Sequence, residues 1–104
     1  MNIEQLKKEL KVNSINLNAC LIYPSFCPDG ALCLIKNDDY SWSVSRTERG
    51  EYTVNEKFYN ETDACKYFLK YIITDPTYRN DFKQSDLFNW EERKEELLKK
   101  YGYL

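Results

Sequence analysis

A chain of 104 residues has room for one hydrophobic core and not for two, and its 42% hydrophobic and 31% charged residues are those of a folded protein rather than a disordered one. A formal charge of -2 and a pI near 5.2 argue against nucleic acid as a partner, because phosphate tracking draws its affinity from clustered Lys and Arg. The sign suits a basic protein partner better, and 15% aromatic residues lean toward a sheet and toward contact surfaces.

Taken in order, the chain opens on Met1-Asn2-Ile3-Glu4-Gln5-Leu6, with charge where a signal peptide needs its apolar run. No later stretch reaches the length of a membrane span, so the expectation is a cytoplasmic protein without a membrane partner. Asn2 with Gln5 forms a capping-box signal, and Ile3, Leu6 and Leu10 fall on one face, predicting a helix over Asn2 to Leu10. Asn13, Ser14, Asn16 and Asn18 break it, and Ala19 to Tyr23 is a short apolar run read as a first strand that Pro24 stops. Ser25 to Gly30 reads as a loop around Pro-Asp-Gly.

Ala31 to Lys36 is apolar on both faces and reads as the central strand. Asn37-Asp38-Asp39 turns the chain, after which Tyr40, Trp42 and Val44 alternate with Ser41, Ser43 and Ser45, giving a strand from Tyr40 to Arg46 with one buried face and one polar face. Thr47 to Glu51 turns back as a three- to five-residue loop with Gly50 at its positive-φ position. Tyr52, Val54 and Phe58 then continue a strand to Tyr59, in which Glu56 signals a bulge or an exposed edge near Asn55.

Asn60 with Asp63 is a second cap, and Cys65, Phe68, Leu69 and Ile72 give one stripe of a helix running to about Asp75. Asp75-Pro76 ends that helix and caps a shorter one. A last helix starts near Ser85 or Asn89, with Trp90, Lys94, Leu97 and Tyr101 on one stripe, Glu95 to Lys99 and Glu96 to Lys100 as exposed pairs, and Gly102 as its end. The fold class expected is therefore α+β over a single domain, 1–104: an antiparallel meander of about four strands packed against an N-terminal helix and two to three C-terminal helices.

Catalytic chemistry finds few candidates. There is no histidine, and the carboxylate pairs Asp38-Asp39, Glu48 with Glu51, Glu91-Glu92 and Glu95-Glu96 are better explained as turns and a solvated helix face. The three glycines, Gly30, Gly50 and Gly102, form no phosphate loop. The four cysteines, Cys20, Cys27, Cys33 and Cys65, have spacings that suit no zinc site, and in a cytoplasmic protein they are expected to be thiols. Cys33 and Cys65 fall on buried faces, Cys20 would neighbour Cys33 across a first hairpin, and Cys27 beside Pro28 is the most exposed. No enzyme activity, cofactor or metal is expected.

One block carries a family resemblance. The strand A-L-C-L-I-K (Ala31 to Lys36), the turn E-R-G-E (Glu48 to Glu51), the N-E-K-F strand (Asn55 to Phe58) and the D-A-C-K-Y-F-L-K helix (Asp63 to Lys70) resemble the small immunity proteins of bacterial polymorphic toxin systems. In that group a strand ending in an S-E-R-G-like turn is followed by a helix of E-A-C-x-Y-F type. Here the tip reads Thr47-Glu48-Arg49-Gly50, and the likeness covers about 17–75, leaving 76–104 as a helical extension of its own.

The resemblance implies a cytoplasmic antidote that binds a cognate toxin domain and neutralises it by stoichiometric occlusion, with no turnover. The contact residues expected on that reading are Asp38, Asp39, Glu48, Arg49 and Glu51 at the sheet ends, with Tyr40 and Tyr52 as aromatic anchors. The alternative is a small cytoplasmic regulatory or adaptor domain without a toxin partner, docking through the Trp90 to Leu104 helix. Oligomeric state is left open.

Overall fold

Asn2 starts the first helix as its sequence predicts. Its side chain accepts from the Gln5 N–H and the Gln5 side chain accepts from the Asn2 N–H, both at 2.9 Å, closing a capping box on α1 (Ile3–Val12). In this computed structural model, which describes residues 1–24 and 26–104, α1 buries Ile3, Leu6 and Leu10. Ser25, the first residue of the predicted loop, lies outside the described residues.

Four strands follow: β1 (Cys20–Ile22), β2 (Leu32–Lys36), β3 (Trp42–Glu48) and β4 (Glu51–Phe58), side by side in chain order. The pairs β2–β3 and β3–β4 are antiparallel, as the meander reading requires. The first pair departs from it: β1 runs parallel to β2, with Cys20 level with Leu32 and Leu21 level with Cys33, so the sheet is mixed and there is no first hairpin. Leu21, rather than Cys20, is the neighbour of Cys33. The chain leaves β1 at Tyr23, whose N–H donates to the Leu34 carbonyl at 3.0 Å, and returns to begin β2 at the end where β1 began. This return is shorter than an ordinary parallel crossover and holds no helix among its described residues. It is stapled to the sheet by a disulfide between Cys27 and Cys33. The expectation of four thiols is thereby corrected: the turn at Pro28, Asp29 and Gly30 brings the two Cα atoms to 6.3 Å, within bonding range. Cys20 and Cys65 are free and buried, and Cys27 is half-buried rather than exposed.

The helix α2 (Glu61–Ile73) is capped by Asn60, whose side-chain oxygen accepts from the Asp63 N–H at 2.8 Å. It lays Ala64, Cys65, Phe68, Leu69 and Ile72 onto Leu32, Leu34, Trp42, Val44 and Val54. The Phe, Leu, Ile and Val side chains among them stabilise by about 1.5–3 kcal/mol each when fully buried. Glu61, in its first turn, accepts from the Ile3 N–H at 3.0 Å and so joins the starts of the two helices. Thr74 closes α2 just short of the predicted Asp75, and Asp75 caps a 3-10 turn, Pro76–Tyr78. A second 3-10 turn, Gln84–Leu87, precedes α3 (Trp90–Lys100), which Gly102 ends at φ +79. The result is an α+β fold of two layers. The helices cover the face of Leu32, Leu34, Trp42, Val44 and Val54, while the register turns Ile35, Ser43, Ser45, Asn55 and Lys57 to the other face.

Candidate partner-binding surface

The residues singled out in the sequence gather at two places. Asp38, Asp39 and Tyr40 form the turn between β2 and β3, and Glu48, Arg49, Glu51 and Tyr52 form the hairpin between β3 and β4. These are opposite ends of one strand, and seven residues of β3 hold them roughly 20 Å apart at the usual strand rise.

At the first end, Tyr40 does not begin the strand as its alternation with Trp42 predicts. It sits at the turn with φ +66 and is 79% exposed, while β3 starts at Trp42. The turn is fixed around Tyr40: the Asn37 N–H donates to the Ser41 carbonyl at 2.8 Å, and Asn37 Nδ2 donates to Ser41 Oγ and Ser43 Oγ at 2.9 Å. Asp39 accepts from the Ser41 hydroxyl, from the Ser41 N–H at 3.1 Å and from Lys57 Nζ at 3.1 Å. The Ser41 hydroxyl, then its N–H, then Lys57 hold the Asp39 carboxyl down at about 2. Asp39 is thus spent on the turn itself, and Asp38 is the carboxylate left on its exposed side. Lys36 Nζ lies 5.8 Å from the Tyr40 ring and 5.5 Å from the Trp42 ring, and Tyr23, also at positive φ, packs on Trp42 at 5.8 Å. Tyr59, 80% exposed, follows β4 at the same end with Lys57 Nζ 5.6 Å from its ring.

At the second end, Glu48 pairs directly with Glu51, so the loop is shorter than expected: a two-residue turn with Arg49 at φ +53 and Gly50 at φ +79. Two positive φ values are those of a type I′ turn, whose twist matches a hairpin. Glycine enters this region freely, whereas Arg49 needs support. The support comes from Asp29, which accepts from the Arg49 N–H at 3.1 Å and from Thr47 Oγ1 at 3.2 Å, beside a Gly30 N–H to Thr47 carbonyl bond of 2.8 Å. Arg46 Nη2 donates to Glu48 Oε1 at 2.8 Å. Of the bulge or exposed edge expected near Asn55, the structure has the edge there, with Asn55 and Glu56 exposed on the outermost strand, and a bulge closer to the tip, where Arg46 pairs with Val54 but Thr47 pairs with Tyr52, leaving Thr53 as the extra residue. The bulge moves Tyr52 off the face of Val54, and Tyr52 is 64% exposed.

Asp29, Tyr23, Tyr59 and Lys57 were not singled out in the sequence. Asp29 had a signal, the Pro-Asp-Gly turn, but that signal speaks only of its own loop. The C-terminal helix is engaged elsewhere: Trp90 is buried with its Nε1–H donating to the Thr74 carbonyl at 3.1 Å, Leu97 and Tyr101 pack on the core, and the Tyr103 hydroxyl donates to the Lys66 carbonyl at 2.6 Å. A cleft of about 610 Å³ beside Lys11, Asn16, Asn80 and Asp81 includes none of the candidate contact residues. Among the described residues no three Cys, Asp or Glu side chains gather to hold a metal ion, and no helix is long and apolar enough to cross a membrane. Compared with protein-family models, with curated proteins and with solved structures, the chain finds no match.

Proposed function

We propose that this protein is an immunity protein, which binds a cognate bacterial toxin domain one to one and neutralises it by covering its surface. The observation that carries the reading is the tip 48–51, a charged and exposed turn held in an unfavourable backbone conformation by Asp29. It lies within the block whose sequence resembles immunity proteins. A turn ordered before binding loses little freedom on binding, so its contacts are kept as affinity. An interface of ordinary size covers about 800 Å² per partner, about 30 Å across. That is enough to reach from Tyr40 to Arg49 along the sheet face opposite the helices, taking in Tyr52, Asn55 and Lys57. On this reading the protein needs no cofactor, and neither nucleic acid nor membrane is its partner.

The experiment is co-expression with the protein encoded beside it. Rescue of growth together with a one-to-one complex is the expected result. A neighbour that is harmless alone, or that kills equally with this protein present, sinks the reading.

A further inference from the structure

We propose that the Cys27–Cys33 disulfide is a thiol–disulfide exchange site whose reduction by a dithiol loosens the hairpin tip 48–51. Cys33 is fully buried on β2 and Cys27 is half-buried in the connecting segment, so Cys27 is the more open of the two to an incoming thiolate. Attack there forms a mixed disulfide and releases Cys33 as a thiolate, which takes a proton. The second thiol of the reagent then displaces Cys27. Two electrons and two protons pass to the protein, and the reagent leaves as its own disulfide.

The link from the bond to the tip is short. Cys27 is two residues ahead of Asp29, and Asp29 and Gly30 make the three hydrogen bonds that hold Thr47 and Arg49. Phe26 is 72% exposed and gives this segment no apolar anchor, which leaves the disulfide as its covalent hold on the sheet. Arg49 at φ +53 is the residue least able to keep its conformation once that hold goes. The consequence for partner binding, weaker in the dithiol form, rests on the reading of the tip as a contact surface. The order of the tip does not, so its failure and the failure of that reading are distinguishable.

The test uses the full chain without a partner, with trypsin cleavage after Arg49 read by mass spectrometry before and after dithiothreitol. Reduction is expected to raise that rate on the order of ten-fold, the change produced by losing about one net hydrogen bond. Cleavage after Lys66 and Lys70, within α2, stays unchanged. Cys27→Ser shows the fast rate with or without reductant, and Asp29→Ala shows it while the disulfide is intact. The proposal is overturned by any of four results: air-purified protein with four free thiols, equal rates before and after reduction, equal opening of the α2 sites, or a full response to reductant in Asp29→Ala.

Discussion

The Tyr101 hydroxyl donates to Glu9 Oε2 at 2.6 Å and accepts from Asn13 Nδ2 at 2.8 Å, so the last turn of the chain closes onto the end of α1 across 92 positions of sequence. Asn13 is buried and caps α1, which makes the hydroxyl part of the fold rather than a surface contact. Tyr101→Phe is expected to destabilise by about 1–2 kcal/mol in urea unfolding, because Asn13 loses one of its two acceptors in a buried place. Partner binding stays unchanged. Unchanged stability with lost binding would instead make the C-terminal helix a docking element and favour the adaptor reading.

Glu48, Arg49 and Glu51 are exposed, and among the described residues their one side-chain bond is the Arg46 to Glu48 pair. Exposed pairs contribute about 0–1 kcal/mol. Replacing all three by Ala is therefore expected to leave the thermal midpoint within a few degrees while weakening the toxin complex at least ten-fold, about 1.4 kcal/mol. Calorimetric titration beside a melting curve separates the two effects. Intact binding would reduce the tip to a turn with charges for solubility.

Tyr40 combines 79% exposure with φ +66. A bulky residue costs about 1–2 kcal/mol in the left-handed region, and the Lys36 contact returns about 0.5 kcal/mol at an exposed site. Tyr40→Gly is accordingly expected to change stability by less than about 1 kcal/mol, toward the stabilised side. If the ring is an aromatic anchor, the same change weakens partner binding by about 2 kcal/mol. A clear loss of stability in chemical unfolding would show that the ring belongs to the fold.

Burial pushes the Cys20 thiol up to about 12 and the Cys65 thiol to about 11, and the Tyr78 and Tyr103 hydroxyls to about 12. Each group keeps its proton more firmly folded than unfolded, where the ordinary values are 9.0 for Cys and 10.0 for Tyr. Their contribution to stability is complete below pH 9 and is lost as pH rises toward 12. Urea midpoints are expected to be flat from pH 7 to about 9 and to fall beyond it. In the same range a maleimide should leave Cys20 and Cys65 unmodified in the native protein at pH 8. Labelling of either at the rate of a free thiol would contradict their placement.

Much of the candidate site was visible as residue types and little of it as geometry. Asn2, Asn60 and Asp75 announced their helix starts because a cap is a contract between residues two or three apart. Gly50 announced the tip for the same local reason. Nothing local could say that Arg49 shares the left-handed conformation, because its stability comes from Asp29, 20 residues earlier in the chain. Tyr40 misled in the opposite direction: alternation placed it on the buried row with Trp42, and the turn closed by Asn37 and Ser41 took it out.

The sequence by itself determined the helices, the antiparallel β2–β3–β4 meander and the buried stripe of Cys65, Phe68, Leu69 and Ile72, since each depends on periodicity and caps within a few residues. The parallel direction of β1, the Cys27–Cys33 bond and the separation of the two charged turns along β3 were decided by tertiary structure alone. Strand direction and cysteine pairing depend on where a connecting segment is free to lie once both faces of the sheet exist. Here the helices occupy one face, and the return from β1 crosses the other.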